Sequence, residues 1–111
     1  MEFALTTNEV DDFSVVGVSG ELDVYTAPAL EEVLGELIDA RRISIVVDLS
    51  AVTFMDSTGL GLLIKALKWT REHDGALRIV ADSEKILKVF RVTGLDTVLS
   101  IHDTLAAATG A

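Results

Sequence analysis

Cysteine is absent from the chain, which excludes disulfide frameworks, zinc-thiolate sites, iron-sulfur clusters and thiol redox switches. Proline occurs once, at Pro28, and aromatic side chains make up only 5% of the residues, so aliphatic packing has to fill the core. Basic side chains are scarce as well: 9 Lys plus Arg stand against 18 Asp plus Glu, a formal net charge of -9. Phosphate neutralisation by Lys and Arg supplies most nucleic-acid affinity, so direct DNA or RNA binding is not expected of so acidic a chain. Anionic membrane surfaces are disfavoured for the same reason. No apolar run approaches the roughly 20 residues of a membrane span, and Met1-Glu2-Phe3-Ala4 lacks the basic start of a signal peptide. The expectation is a soluble, cytoplasmic protein with no membrane contact.

What is present is a chain of 111 residues, half of them apolar, too hydrophobic for disorder. One domain spanning residues 1–111 is expected at this length, burying about 60 to 70% of the surface its unfolded form exposes. No linker, low-complexity stretch or internal repeat interrupts it. The charge is uneven. Residues 1–56 hold 2 basic and 12 acidic side chains, whereas residues 57–111 hold 7 and 6, so the two halves present different electrostatic faces.

The pattern predicts an α/β protein. Phe3 to Thr7 and the β-branched run Phe13 to Val18 flank a turn at residues 8–12, which reads as a hairpin. Gly20-Glu21-Leu22-Asp23 breaks that pattern. Thr26 is a candidate N-cap and Pro28 a first-turn proline for a helix with Leu30, Val33, Leu34, Leu37 and Ile38 on one face. Arg41-Arg42 suits the helix C-terminus, and Ile43 to Val47 reads as a strand buried on both faces. A loop over residues 50–55 leads to a second helix from about Ser57 to His73, ended by Asp74-Gly75. Ala76 to Val80 is the next strand, and Ser83 caps a third helix running to Gly94. Val98-Leu99 suggests a short strand and Asp103 to Ala108 a terminal helix. This β-α-β-α-β alternation requires crossovers, hence a mostly parallel region beside the antiparallel hairpin. About four helices are expected, packed mainly on one face of a small mixed sheet.

The informative stretch is Phe54-Met55-Asp56-Ser57-Thr58-Gly59-Leu60-Gly61, between a strand and the helix it feeds. The first N–H groups of that helix lack intrahelical partners and its dipole is positive there, so an oxygen or anion is favoured. Two glycines in the first turns cost about 1 kcal/mol each relative to alanine, and close approach of another backbone or a partner would offset that. Either Asp56 or Ser57 serves as an N-cap with the glycines packed on the sheet, or the stretch is a functional surface; spacing alone fits both.

Gly20-Glu21-Leu22-Asp23 before the first helix and Phe54 to Gly61 before the second carry a resemblance to the anti-sigma factor antagonists, members of the STAS fold. Order, separation and surrounding elements agree over nearly the whole chain. The resemblance implies a regulatory protein and not an enzyme. The unphosphorylated form would bind an anti-sigma factor with serine kinase activity and free a sigma factor; phosphorylation would release it, and a serine phosphatase would reset it. By position the phosphorylated residue is Ser57, and only the resemblance decides between it and Thr58. The implied partner-binding residues are Asp23, Asp56, Ser57, Thr58, Gly59, Leu60 and Gly61, with the two loops converging. The alternative is a STAS subunit of a transporter or signalling assembly, structural or regulatory, without a phosphoswitch.

A phosphate on Ser57 would add about -1.5 to -2 charges at neutral pH, which the helix N-terminus tolerates and the neighbouring carboxylates oppose. Leu60, on a helix with more apolar residues than one face needs, is expected to remain partly exposed as a partner contact. Lys65, Lys68 and Arg71, and Lys85, Lys88 and Arg91, form ridges that read as solvated faces. His73 and His102 stand apart from any ligand spacing, so no metal site is expected. The Gly-x-Ser-x-Gly elbow is missing around Ser57 and no phosphate-binding Gly-x-x-x-x-Gly-Lys loop occurs, so neither a serine hydrolase nor a nucleotide cofactor is expected.

Overall fold

The computed structural model describes residues 2–110. Strands β1 (Ala4–Val10), β2 (Phe13–Leu22), β3 (Ser44–Met55), β4 (Ala76–Val80) and β5 (Ser100–His102) form one sheet in sequence order. β1 and β2 pair antiparallel around a tight Asp11-Asp12 turn, and every later neighbour is parallel. The helices are α1 (Ala27–Asp39), α2 (Ser57–Glu72), α3 (Glu84–Thr93) and the short α4 (Leu105–Thr109). Because the strand order never reverses, right-handed crossovers put α1, α2 and α3 on the same face. Their apolar stripes meet Val16, Val18, Ile45, Val47, Leu77 and Ile79 there, with Leu30, Leu34, Leu63 and Phe90 fully enclosed. On the opposite face α4 presses Ala108 against Val15, Val46 and Val80. Alternate residues of β2, β3 and β4 therefore feed two cores, as the nearly continuous apolar run of β3 requires.

Two predicted breaks prove to be strand. β2 continues through Gly20 to Leu22 across a register shift at Gly20/Glu21. Gly20 adopts φ +90, where an added Cβ would lie 2.9 Å from the Phe3 Cα, so glycine there bends the strand instead of ending it. β3 likewise runs on through residues 50–55, paired to β2 as far as Met55; exposed Ser50, Ala51, Thr53 and Phe54 made that stretch look like a loop. The hairpin strand extends to Val10, the last strand is Ser100–His102 and not Val98-Leu99, and the terminal helix starts at Leu105 behind a Thr104 cap.

Helices α1 and α2 both end in paired backbone bonds. Arg42 N–H donates to Leu37 O (2.8 Å) and Arg41 N–H to Ile38 O (3.0 Å); Gly75 N–H donates to Thr70 O (2.7 Å) and Asp74 N–H to Arg71 O (3.1 Å). The left-handed residue in each is Arg41 or Asp74, not glycine. Gly75 is small for another reason: its Cβ would sit 2.1 Å from the Ile43 carbonyl oxygen. Arg42 is paired with Glu9 at the hairpin end. Among the described residues no helix is long and apolar enough to cross a membrane.

Candidate functional site

The C-terminal ends of β2 and β3 bring the two sequence motifs together. Leu22 is the register partner of Met55, and the Asp56 N–H donates to the Leu22 carbonyl at 3.2 Å. The loops that begin at Asp23 and Asp56 consequently leave adjacent parallel strands side by side at the same C-terminal end of the sheet.

Asp56 has extended backbone and caps α2. Its Oδ1 accepts from Thr58 N–H (2.9 Å) and Gly59 N–H (3.1 Å), and its carbonyl accepts from Leu60 N–H (3.1 Å). The cap is therefore Asp56, and Ser57 becomes the first residue of the helix with an exposed side chain. Thr58 is exposed too. Two of the N–H donors at this helix end, on Thr58 and Gly59, are already taken by the Asp56 carboxylate, beside which a charge added on Ser57 would sit.

The Asp23 loop is held by a related set of hydrogen bonds. Asp23 Oδ1 accepts from Tyr25 N–H (2.9 Å) and Thr26 N–H (3.1 Å), and its carbonyl accepts from Ala27 N–H (2.8 Å). Thr26 precedes α1 as predicted, yet its hydroxyl does not cap the helix. It turns back, accepting from Asp23 N–H (2.9 Å) and donating to the Glu21 carbonyl (2.8 Å). Asp23 does locally what a capping side chain does elsewhere. Sequence reading missed Thr26 as a clamp on this loop, and also Val24 and Tyr25, which stand 57% and 89% exposed beside it. Two large apolar residues directly after the motif aspartate were the available signal.

The glycines of the second motif divide. A Cβ on Gly59 would meet Leu22 Cγ and Met55 Cγ at 3.0 Å, whereas one on Gly61 would meet nothing within 4 Å. Gly59 is buried under the strand ends and serves packing of the helix on the sheet; Gly61 is exposed. Leu60 departs from expectation. It is 8% exposed and belongs to the main core, because the helix start turns it inward with Leu63, so a role for it as an exposed contact is not supported. Of the basic ridges, Lys65 pairs with Glu31 (3.3 Å) and lies 4.8 Å from the Trp69 ring centroid, and Arg91 pairs with Glu84, as solvated helix faces do. No group of three or more His, Asp or Glu side chains is arranged to hold a metal ion among the described residues.

A five-stranded sheet in sequence order, with an aspartate-capped helix start and an exposed serine beside the first crossover loop, defines a class. The chain belongs to the STAS domain family, whose model matches residues 4–108. It is 42% identical over 103 residues to the anti-sigma-B factor antagonist of Staphylococcus epidermidis, covering 93% of this chain and 95% of that protein. The counterpart in Staphylococcus aureus is 41% identical with the same coverage. The crystal structure of an anti-sigma factor antagonist from Mycobacterium paratuberculosis is also similar, with a TM-score of 0.90 at 34% identity over 98% of this chain and 92% of that one.

Proposed function

We propose that this chain is an anti-sigma factor antagonist switched at Ser57. In the unphosphorylated state it captures an anti-sigma factor with serine kinase activity, so that a sigma factor is freed. The observation that carries this reading is the exposed Ser57 one residue beyond Asp56, whose N–H donates to the Leu22 carbonyl at the start of the Asp23 loop. Phosphoryl transfer moves the γ-phosphoryl group of ATP to Ser57 Oγ: the bond to the β-phosphate oxygen breaks, ADP leaves, and the hydroxyl proton passes to a base on the kinase. A serine phosphatase resets the protein by hydrolysing the phosphoester to serine and inorganic phosphate.

Release follows from charge. Asp56 already occupies the Thr58 and Gly59 N–H groups, so the phosphate gains little from the helix end and faces the Asp56 carboxylate. In the complex it would also stand against the anionic ADP left on the kinase. Like-charge juxtaposition at an interface costs several kcal/mol, and inverting a 1:99 equilibrium to 99:1 needs about 5.5 kcal/mol. One phosphate is of that order, and no change of fold is required.

The test is intact mass and peptide mapping after incubation with ATP and a kinase-type anti-sigma factor from the same organism. One added phosphate on Ser57 is expected. An unmodified protein would favour the alternative, a STAS subunit of a transporter or signalling assembly without a phosphoswitch.

A further inference from the structure

We infer that the recess between the N-terminal halves of α1 and α2 receives a bulky apolar side chain of the protein partner; this rests on the partner-binding reading above. The recess is open, about 400 Å³, with Val24, Pro28, Gly61 and Leu62 among its apolar lining. Thr58 lies on its edge and the Glu31–Lys65 ion pair, 3.3 Å apart, crosses it farther along the two helices. It is continuous with the switch, since Thr58 follows Ser57 directly. A partner whose kinase site addresses Ser57 therefore covers the recess as well.

Two observations point to an apolar occupant. Val24, 57% exposed, lines a recess that has apolar walls, and Tyr25, 89% exposed, follows it directly in the chain. An exposed apolar patch of this kind marks an interaction surface. Gly61 opens the floor of the recess, and nothing in the chain itself requires glycine there, because its Cβ would be free of contact. Gly59, two residues earlier, is by contrast forced by Leu22 and Met55. Glycine at position 61 leaves the recess open to a side chain entering from outside the chain.

The experiment compares Gly61→Leu, which fills the recess, with Gly35→Leu, a substitution at the other helix glycine whose Cβ meets nothing within 4 Å and which lies outside the recess. Affinity for the anti-sigma factor that phosphorylates Ser57 is measured by calorimetry, with circular dichroism to verify folding. Gly61→Leu is expected to weaken binding about tenfold or more while Gly35→Leu leaves it unchanged. Val24→Ser, at an exposed position that cannot disturb the core, should weaken binding in the same direction and decides the matter if Gly61→Leu misfolds. Wild-type affinity in folded Gly61→Leu, or in Val24→Ser where Gly61→Leu misfolds, would overturn the inference while leaving the antagonist reading intact. Failure of the wild-type protein to bind would overturn both.

Discussion

The Asp56 N–H donates to the Leu22 carbonyl at 3.2 Å, and through that bond the end of one strand fixes the start of the neighbouring helix. Leu22 is fully buried beneath Gly59, so the residue that anchors the first motif also sets how closely the second can approach. The proposed switch surface is built on this junction, with two hydrogen-bonded loops held side by side and few side chains spent on holding them.

The capping bonds of Asp56 should be visible in stability. Replacing a good N-cap by alanine costs about 1 kcal/mol, which for a chain of this size lowers the melting temperature by about 4 °C. Asp56→Ala is expected to show that loss in thermal unfolding, and Asp56→Asn, which keeps the acceptor oxygen, most of the wild-type value.

Thr26 should matter more than an exposed threonine ordinarily does. Its hydroxyl ties Asp23 N–H to the Glu21 carbonyl, so Thr26→Ala removes two hydrogen bonds and is expected to cost about 1 to 2 kcal/mol in urea unfolding. Thr26→Ser should restore most of it. Amide exchange at Asp23 should accelerate in the alanine variant and not in the serine variant.

The two motif glycines should respond to alanine with opposite signs. Gly61→Ala adds a Cβ in open space and gains helix propensity, up to about 1 kcal/mol. Gly59→Ala drives its Cβ to 3.0 Å from Leu22 and Met55, and overpacking of that kind costs about 1 to 3 kcal/mol. A rise in melting temperature for the first and a fall for the second are expected.

Arg78 is the fastener of the small second core. Its Nη1 donates to the Ala108 carbonyl at 2.6 Å and its guanidinium lies 4.7 Å from the Phe13 ring centroid. Arg78→Ala is expected to speed amide exchange across α4 several-fold and to leave exchange in α2 unchanged.

Much of this architecture was legible in the sequence, for identifiable reasons. The periodicity of Leu30 to Ile38 and the caps around Ser57 and Gly94 state their elements locally, and the parallel region follows from alternation alone. What escaped was set by pairing across the sheet. Gly20 looked like a break because its bend is absorbed by Val52 and Phe54 of the next strand, and residues 50–55 looked like a loop because their exposed face is not opposed by β4. The site shows the same division. The motifs single out Asp23, Asp56 and Ser57 as candidates, whereas the inward turn of Leu60 and the backward hydrogen bonds of Thr26 depend on neighbours that no local pattern names.

The central claim is that phosphate on Ser57 releases the partner, and the most direct measurement is the affinity of the kinase-type anti-sigma factor for unmodified protein and for protein stoichiometrically phosphorylated on Ser57. Binding weakened about 100-fold or more is expected of the phosphorylated form, in line with a like-charge cost of several kcal/mol. Equal affinity of the two forms would contradict it.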